Sequence, residues 1–160
     1  MVRLGFLWCL PVVALLLNAC IGSNSEGAKL YRALYKHAGP QSWVEELENY
    51  PLEQQYEVFL HGMHRVHPPD SRAARAIAKR GKPAVDYVLR MVAASGEDWD
   101  YAFSMEIFEA MVRGRHYLVC ADVEAMSQIE ANGTKIADEG WRKLYELNLQ
   151  WLEELCVSNW

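Results

Sequence analysis

From residue 28 to the C-terminus apolar residues recur at steps of three and four, and no stretch alternates with the two-residue period of a half-buried strand. That periodicity confines the chain to helices. Residues 28–36 read as a short helix with Leu30 and Leu34 on one side, stopped near Gly39-Pro40. Ser42 with Glu45 makes a capping box for a second short helix ending near Tyr50. Pro51 suits the first position of a third, in which Leu52, Tyr56, Phe59, Met63 and Val66 form one apolar stripe. Pro68-Pro69 ends it, and Asp70 or Ser71 caps the next, which runs to Gly81.

Pro83 opens a further helix, with Val85, Val88, Leu89 and Val92 inward and Gly96 as its stop. Residues 98–113 bury Tyr101, Met105, Phe108 and either Met111 or Val112. Residues 115–131 read as two short helices around Asp122, and Asn132-Gly133 as a turn. The last helix carries a stripe of Trp141, Leu144, Tyr145, Trp151, Leu152 and Leu155, with Asn148 within it. Short connections imply antiparallel neighbours, so the expected fold is all-α, an irregular bundle of antiparallel helical hairpins.

The N-terminus has a different character. Arg3 precedes an apolar run over residues 4–17, followed by Asn18-Ala19-Cys20, the layout of a secretory signal with a small residue before the cut. Leu17-Asn18-Ala19-Cys20 resembles the lipobox of bacterial lipoproteins, although Asn18 departs from the small or apolar residue usual there. The resemblance implies that residues 1–19 are removed and that Cys20 is lipidated as the mature N-terminus. Ile21, rather than Asp, follows the cysteine, which in that family implies the periplasmic side of the outer membrane. The alternative is an uncleaved span. A span needs about 20 apolar residues, and residues 4–21 fall slightly short and contain Pro11 and Asn18. Residues 20–27 then read as the lipidated cysteine and a tether, and 28–160 as one domain.

Cleavage before Cys20 leaves 141 of the 160 residues, enough for a single core. Loss of Arg3 takes the formal net charge from −5 to −6. An acidic domain lacks the basic footprint that nucleic acid requires, and nucleic acid is excluded as a partner. Two cysteines remain besides Cys20, Cys120 and Cys156, and an oxidising compartment makes a disulfide between them the expectation. The alternative is two buried thiols.

Residues 77–85, continuing to Leu89 and Val92, resemble the turn and second helix of a HEAT repeat. The likeness covers about residues 71–93, with no second copy, where three or more make a solenoid. It implies one HEAT-like hairpin and, by fold analogy, a surface that binds protein.

Two clusters carry possible chemistry. Glu57, His61 and His64 fall within roughly 60° of one another on a helix of about 100° per residue, away from the apolar stripe, as ligands of a zinc-like ion would. They do not match His-Glu-x-x-His, so no general base is defined. The alternative is a polar helix face. Arg72, Arg75 and Lys79, with Arg80 and Lys82 close behind, form the one dense basic run, a docking site for an anionic partner or else a solvated face. No Gly-x-Ser-x-Gly elbow and no phosphate loop occur, and Ser104 and His116 lie far apart, so the sequence gives no support for an enzyme. The expected role is a lipid-anchored adaptor or binding protein of the periplasmic face. A metal-binding protein and a periplasmic immunity or inhibitor protein are the alternatives.

Overall fold

The computed structural model describes residues 25–159; the leader, Cys20 and most of the tether lie outside the described residues. Among the described residues every regular element is helical: α1 (Glu26–Leu47), α2 (Leu52–Arg65), α3 (Ala74–Ala78), α4 (Lys82–Ser95), α5 (Asp98–Arg113), α6 (Val123–Gly133) and α7 (Glu139–Asn159), with a 3-10 turn, Val119–Ala121, before α6. The all-α bundle read from the sequence is the observed architecture. α5 is its centre, packed against α3, α4 and α7, while α1 pairs with α2. None of the described helices is long and apolar enough to cross a membrane.

α4 and α5 form where the sequence places them. Val85, Val88, Leu89 and Val92 on α4, and Tyr101, Met105, Phe108, Met111 and Val112 on α5, are all buried. Gly81 takes φ +61° at the reversal between α3 and α4, a conformation only glycine adopts without strain. Gly96 closes α4 in the left-handed region, its N–H donating to the Val92 carbonyl.

α1 departs from expectation, because it continues through Gly39-Pro40 as one helix instead of two. An interior proline costs about 3 kcal/mol. Trp43, Val44 and Leu47 beyond it are all buried, as are Tyr31 and Leu34 before it, and burying a large apolar side chain contributes about 1.5–3 kcal/mol. Burial of both halves outweighs the break. Ser42 is therefore interior to the helix, and Ser25 is the N-cap, accepting from Ala28 N at 3.2 Å. Pro51 stands one place outside α2, as its N-cap. Asn132 and Gly133 belong to the last turn of α6, and the chain reverses just after them.

The long stripe on α7 is core only in part. Tyr145 and Leu152 are buried, whereas Leu144, Leu147 and Trp151 are 39%, 47% and 50% exposed. A disulfide joins Cys120, in the 3-10 turn, to Cys156 near the end of α7, with the two Cα atoms 6.3 Å apart.

Asp122 holds the 3-10 turn, α4 and α6 together. Its carboxylate caps α6 through Ala125 N at 3.0 Å, accepts from the Tyr117 hydroxyl at 2.8 Å and pairs with Lys82 at 2.7 Å. The hydrogen bond from Lys82 leads the causes that hold this carboxyl down at about 2. Because the unfolded value is about 3.9, the resulting stability is fully present above that pH and is lost as pH falls toward 2. Asp122→Ala is expected to lower stability by about 1–2 kcal/mol at pH 7, the usual cost of a lost cap. Asp122→Asn keeps a capping side chain, so its smaller deficit should shrink between pH 4 and pH 2 in urea titrations.

Candidate functional site

Two buried carboxylates organise the end of the bundle where α1, α2 and α5 meet. Asp70, 8% exposed, lies in the loop after α2. It receives the Tyr31 hydroxyl at 2.7 Å and two hydrogen bonds from the Arg72 guanidinium at 2.8 and 2.7 Å. Burial alone would raise this carboxyl, but the bonds from Arg72 and Tyr31 outweigh it and hold it below the usual range. Tyr31 is pushed up to about 12, by burial first and then by Asp70. Arg72 also lies over the Trp43 ring, 5.3 Å from its centroid. This cluster latches the loop to α1.

Asp100, in the first turn of α5, is 7% exposed. Its Oδ1 lies 2.8 Å from His64 Nε2, and its Oδ2 accepts from the Ser95 hydroxyl at 2.6 Å. A carboxylate only accepts, so His64 Nε2 carries hydrogen and donates. The order Ser95–Asp100–His64 puts the carboxylate in the middle. A nucleophilic serine needs the imidazole beside its hydroxyl; here the two sit on opposite oxygens of Asp100. The chain of bonds therefore orients the His64 ring and activates no nucleophile.

In front of His64 opens a cleft of about 630 Å³. Trp99, Phe103 and Trp141 form its aromatic wall, and Leu60 and Met63 belong to its apolar lining. His64 packs edge-on to Trp99 and Phe103 at 5.0 and 5.1 Å, and Phe103 packs likewise on Trp141 at 5.5 Å. The polar lining is cationic or imidazole: Arg65, His61, His64 and His67, with Ser25 at the start of α1. Among the described residues no carboxylate lines it. His61 is held below the ordinary histidine value, by burial first and then by repulsion from Arg32 and Arg65. Its Nδ1 is buried with no hydrogen-bond partner.

The structure divides the three residues read as metal ligands. His61 and His64 line this cleft, whereas Glu57 lines a separate depression with Glu26 and Lys29. The first turn of α1 crosses between them, with Gly27 packed so closely on the Glu57 backbone that a Cβ there would clash. His64 is engaged by Asp100, and among the described residues no group of three or more His, Cys, Asp or Glu is placed to hold a metal ion.

The basic run is also dispersed. Arg72 is bound to Asp70, and Lys79 pairs with Glu48 at 2.6 Å. Arg80 donates to the carbonyls of Glu48 and Tyr50, closing the end of α1, and Lys82 bridges Asp86 and Asp122. Arg75 is exposed, its side chain without a hydrogen-bond or ion-pair partner among the described residues, beside Glu106 and Arg113 in a groove of about 500 Å³ between α3 and α5. Most of these charges neutralise acids or carbonyls of the fold.

Trp99 lines the cleft, Asp100 and Ser95 orient His64 beside it, and helical periodicity points to none of the three. The one available signal was a Trp between two aspartates in the first turn of a helix, a polar setting for so large a ring. The fold and site together define an all-α domain with an aromatic, imidazole-lined cleft. No protein-family model matches the chain, and neither a curated protein nor a solved structure shows significant similarity to it.

Proposed function

We propose that this chain is a lipid-anchored binding protein of the bacterial cell envelope, held through Cys20 on the periplasmic side of the outer membrane, with a non-catalytic role as an adaptor. The lipobox resemblance at residues 17–20 supports the anchor, and the described fold begins at Ser25, five residues after the cysteine. The observation that carries the binding role is the ridge on α7. Leu144, Leu147 and Trp151 recur at helical spacing and stay exposed on a helix fixed by a disulfide and by buried Tyr145 and Leu152. Large apolar side chains held outward in a row on a rigid element suit a protein contact better than solvent. The HEAT-like hairpin, with its glycine reversal at Gly81, supports the same class of role by analogy. With four of the five basic residues engaged within the fold and Arg75 left on its own, the α7 ridge supports the contact better than the basic run does.

Tethering lets a weak contact suffice, because a short linker gives effective concentrations on the order of millimolar. A photoreactive residue at position 147 should form a discrete cross-linked species in living cells, suppressed by Trp151→Glu and reduced at least roughly ten-fold when Cys20→Ala removes the tether. Cross-linking that ignores both substitutions contradicts the proposal.

A further inference from the structure

The aromatic cleft lies at the start of the described chain. Ser25 lines it, and only residues 21–24 separate Ser25 from Cys20. An extended chain spans at most about 3.3–3.6 Å per residue, so Cys20 lies within roughly 17 Å of Ser25. A chain of this length folds to a radius of gyration of roughly 14 Å. Acyl groups on Cys20 therefore bring the bilayer to the cleft side of the domain, and the tether is too short for the opposite side to reach it.

The chemistry of the cleft suits that neighbour. Trp99 is 43% exposed, and Phe103 and Trp141 are half-buried beside it. Tryptophan favours the boundary between headgroups and acyl chains. Arg65 is exposed on the rim, so a guanidinium stands on the side from which lipid phosphates approach. The acids nearby are occupied or set back. Glu26 pairs with Lys29, Asp98 accepts the N–H groups of Ala137 and Asp138, and Asp100 is buried behind His64. Glu97 is exposed beside the cleft, and so are Asp138 and Glu139 at the start of α7, where Asp138 accepts from Trp141 N and Glu139 pairs with Lys143, so ring insertion contributes more than net charge.

We infer that the cleft of Trp99, Phe103, Trp141 and Arg65 is a membrane-docking surface that seats the domain on phospholipid headgroups at its own anchor. This rests on lipidation of Cys20. Docking fixes the orientation of the domain, so that the anchored end of the molecule meets the bilayer and the rest of α7 extends from it.

The test uses the acylated full-length product, reconstituted in vesicles of phosphatidylethanolamine and phosphatidylglycerol with bromine on the acyl chains. An environment-sensitive fluorophore is attached through His67→Cys on the rim, or as a control through Val123→Cys, an 82% exposed position at the start of α6. Quenching at position 67 at least three-fold above that at 123 is expected, falling toward the control in Trp99→Ala/Trp141→Ala or in Arg65→Glu with the helical spectrum retained. Equal quenching at the two positions, or quenching unaffected by all three substitutions, overturns the inference. Intact mass is read on the same sample. Absence of acyl chains refutes the anchor, whereas acylated protein with an unquenched label at 67 refutes the docking alone.

Discussion

Removing the Cys120–Cys156 disulfide, by reduction or by the double substitution to serine, is expected to lower stability by about 3–4 kcal/mol. The bridge closes a loop of 36 residues that contains the whole of α6 and most of α7. Loop closure of that length takes about 13 cal/mol/K of entropy from the unfolded chain, near 3.8 kcal/mol at 25 °C. The loss is also local. Among the described side chains of α7 Leu152 is the last that is fully buried; Leu155 and Cys156 are half-buried, and Val157 is 87% exposed. Beyond Leu152 the helix is therefore held mainly by the bridge. Urea unfolding should give the magnitude, and amide exchange should rise first across residues 153–159. A reduced protein with unchanged midpoint and unchanged exchange would show that the bridge constrains neither state.

Trp43→Ala carries the second large effect, a destabilisation of about 3 kcal/mol. Trp43 is 0% exposed, packs on Tyr31 at 5.5 Å between centroids and supports the Arg72 guanidinium. Truncating a buried Phe or Trp costs about 3–5 kcal/mol. The Trp43 indole N–H is buried with no partner, so its removal returns part of an unmet desolvation cost of about 1–3 kcal/mol and places the net toward the low end. Leu144→Ala, on the exposed ridge, should change stability by less than about 1 kcal/mol. A chemical denaturation series on both variants checks the contrast. If Trp43→Ala were as mild as Leu144→Ala, the second half of α1 would not be anchored by burial, and Pro40 would be free to end the helix.

Those two residues also mark how far the sequence could be read. Periodicity locates α4 and α5 closely, because each has one clean stripe flanked by glycines. It places a helix boundary at Asp122, and the structure shows why, since the side chain caps its own helix through Ala125 N. It misplaces the break at Gly39-Pro40, since the cost of the proline is local and visible whereas the burial of Trp43 and Leu47 that opposes it is tertiary. It also overfills the core on α7, since a stripe says which residues share a face and not how much of that face a neighbour covers. Leu144 and Trp151 lie at the uncovered margin of it.

The candidate site was less legible for the same reason. His61 and His64 were found by helical spacing, but the partner that decides the role of His64 is Asp100, 36 residues away on another helix. Glu57 shares a helix face with them and is cut off by Gly27 of α1, a crossing invisible in α2 alone. The basic residues at 72–82 were visible as charge, yet Glu48 and Asp122, which occupy Lys79, Arg80 and Lys82 through side chains or a carbonyl, come from elsewhere in the fold, and only Asp70, which holds Arg72, is a near neighbour in sequence.

The proposed lipidation of Cys20 decides where the cleft and the α7 ridge would act, so the mass of the intact protein extracted from membranes is the most direct measurement. A chain beginning at Cys20, heavier by its acyl groups and lighter by the two hydrogens of the Cys120–Cys156 bridge, is the predicted result. A mass that retains residues 1–19, or that begins at another residue with no acyl addition, would contradict it.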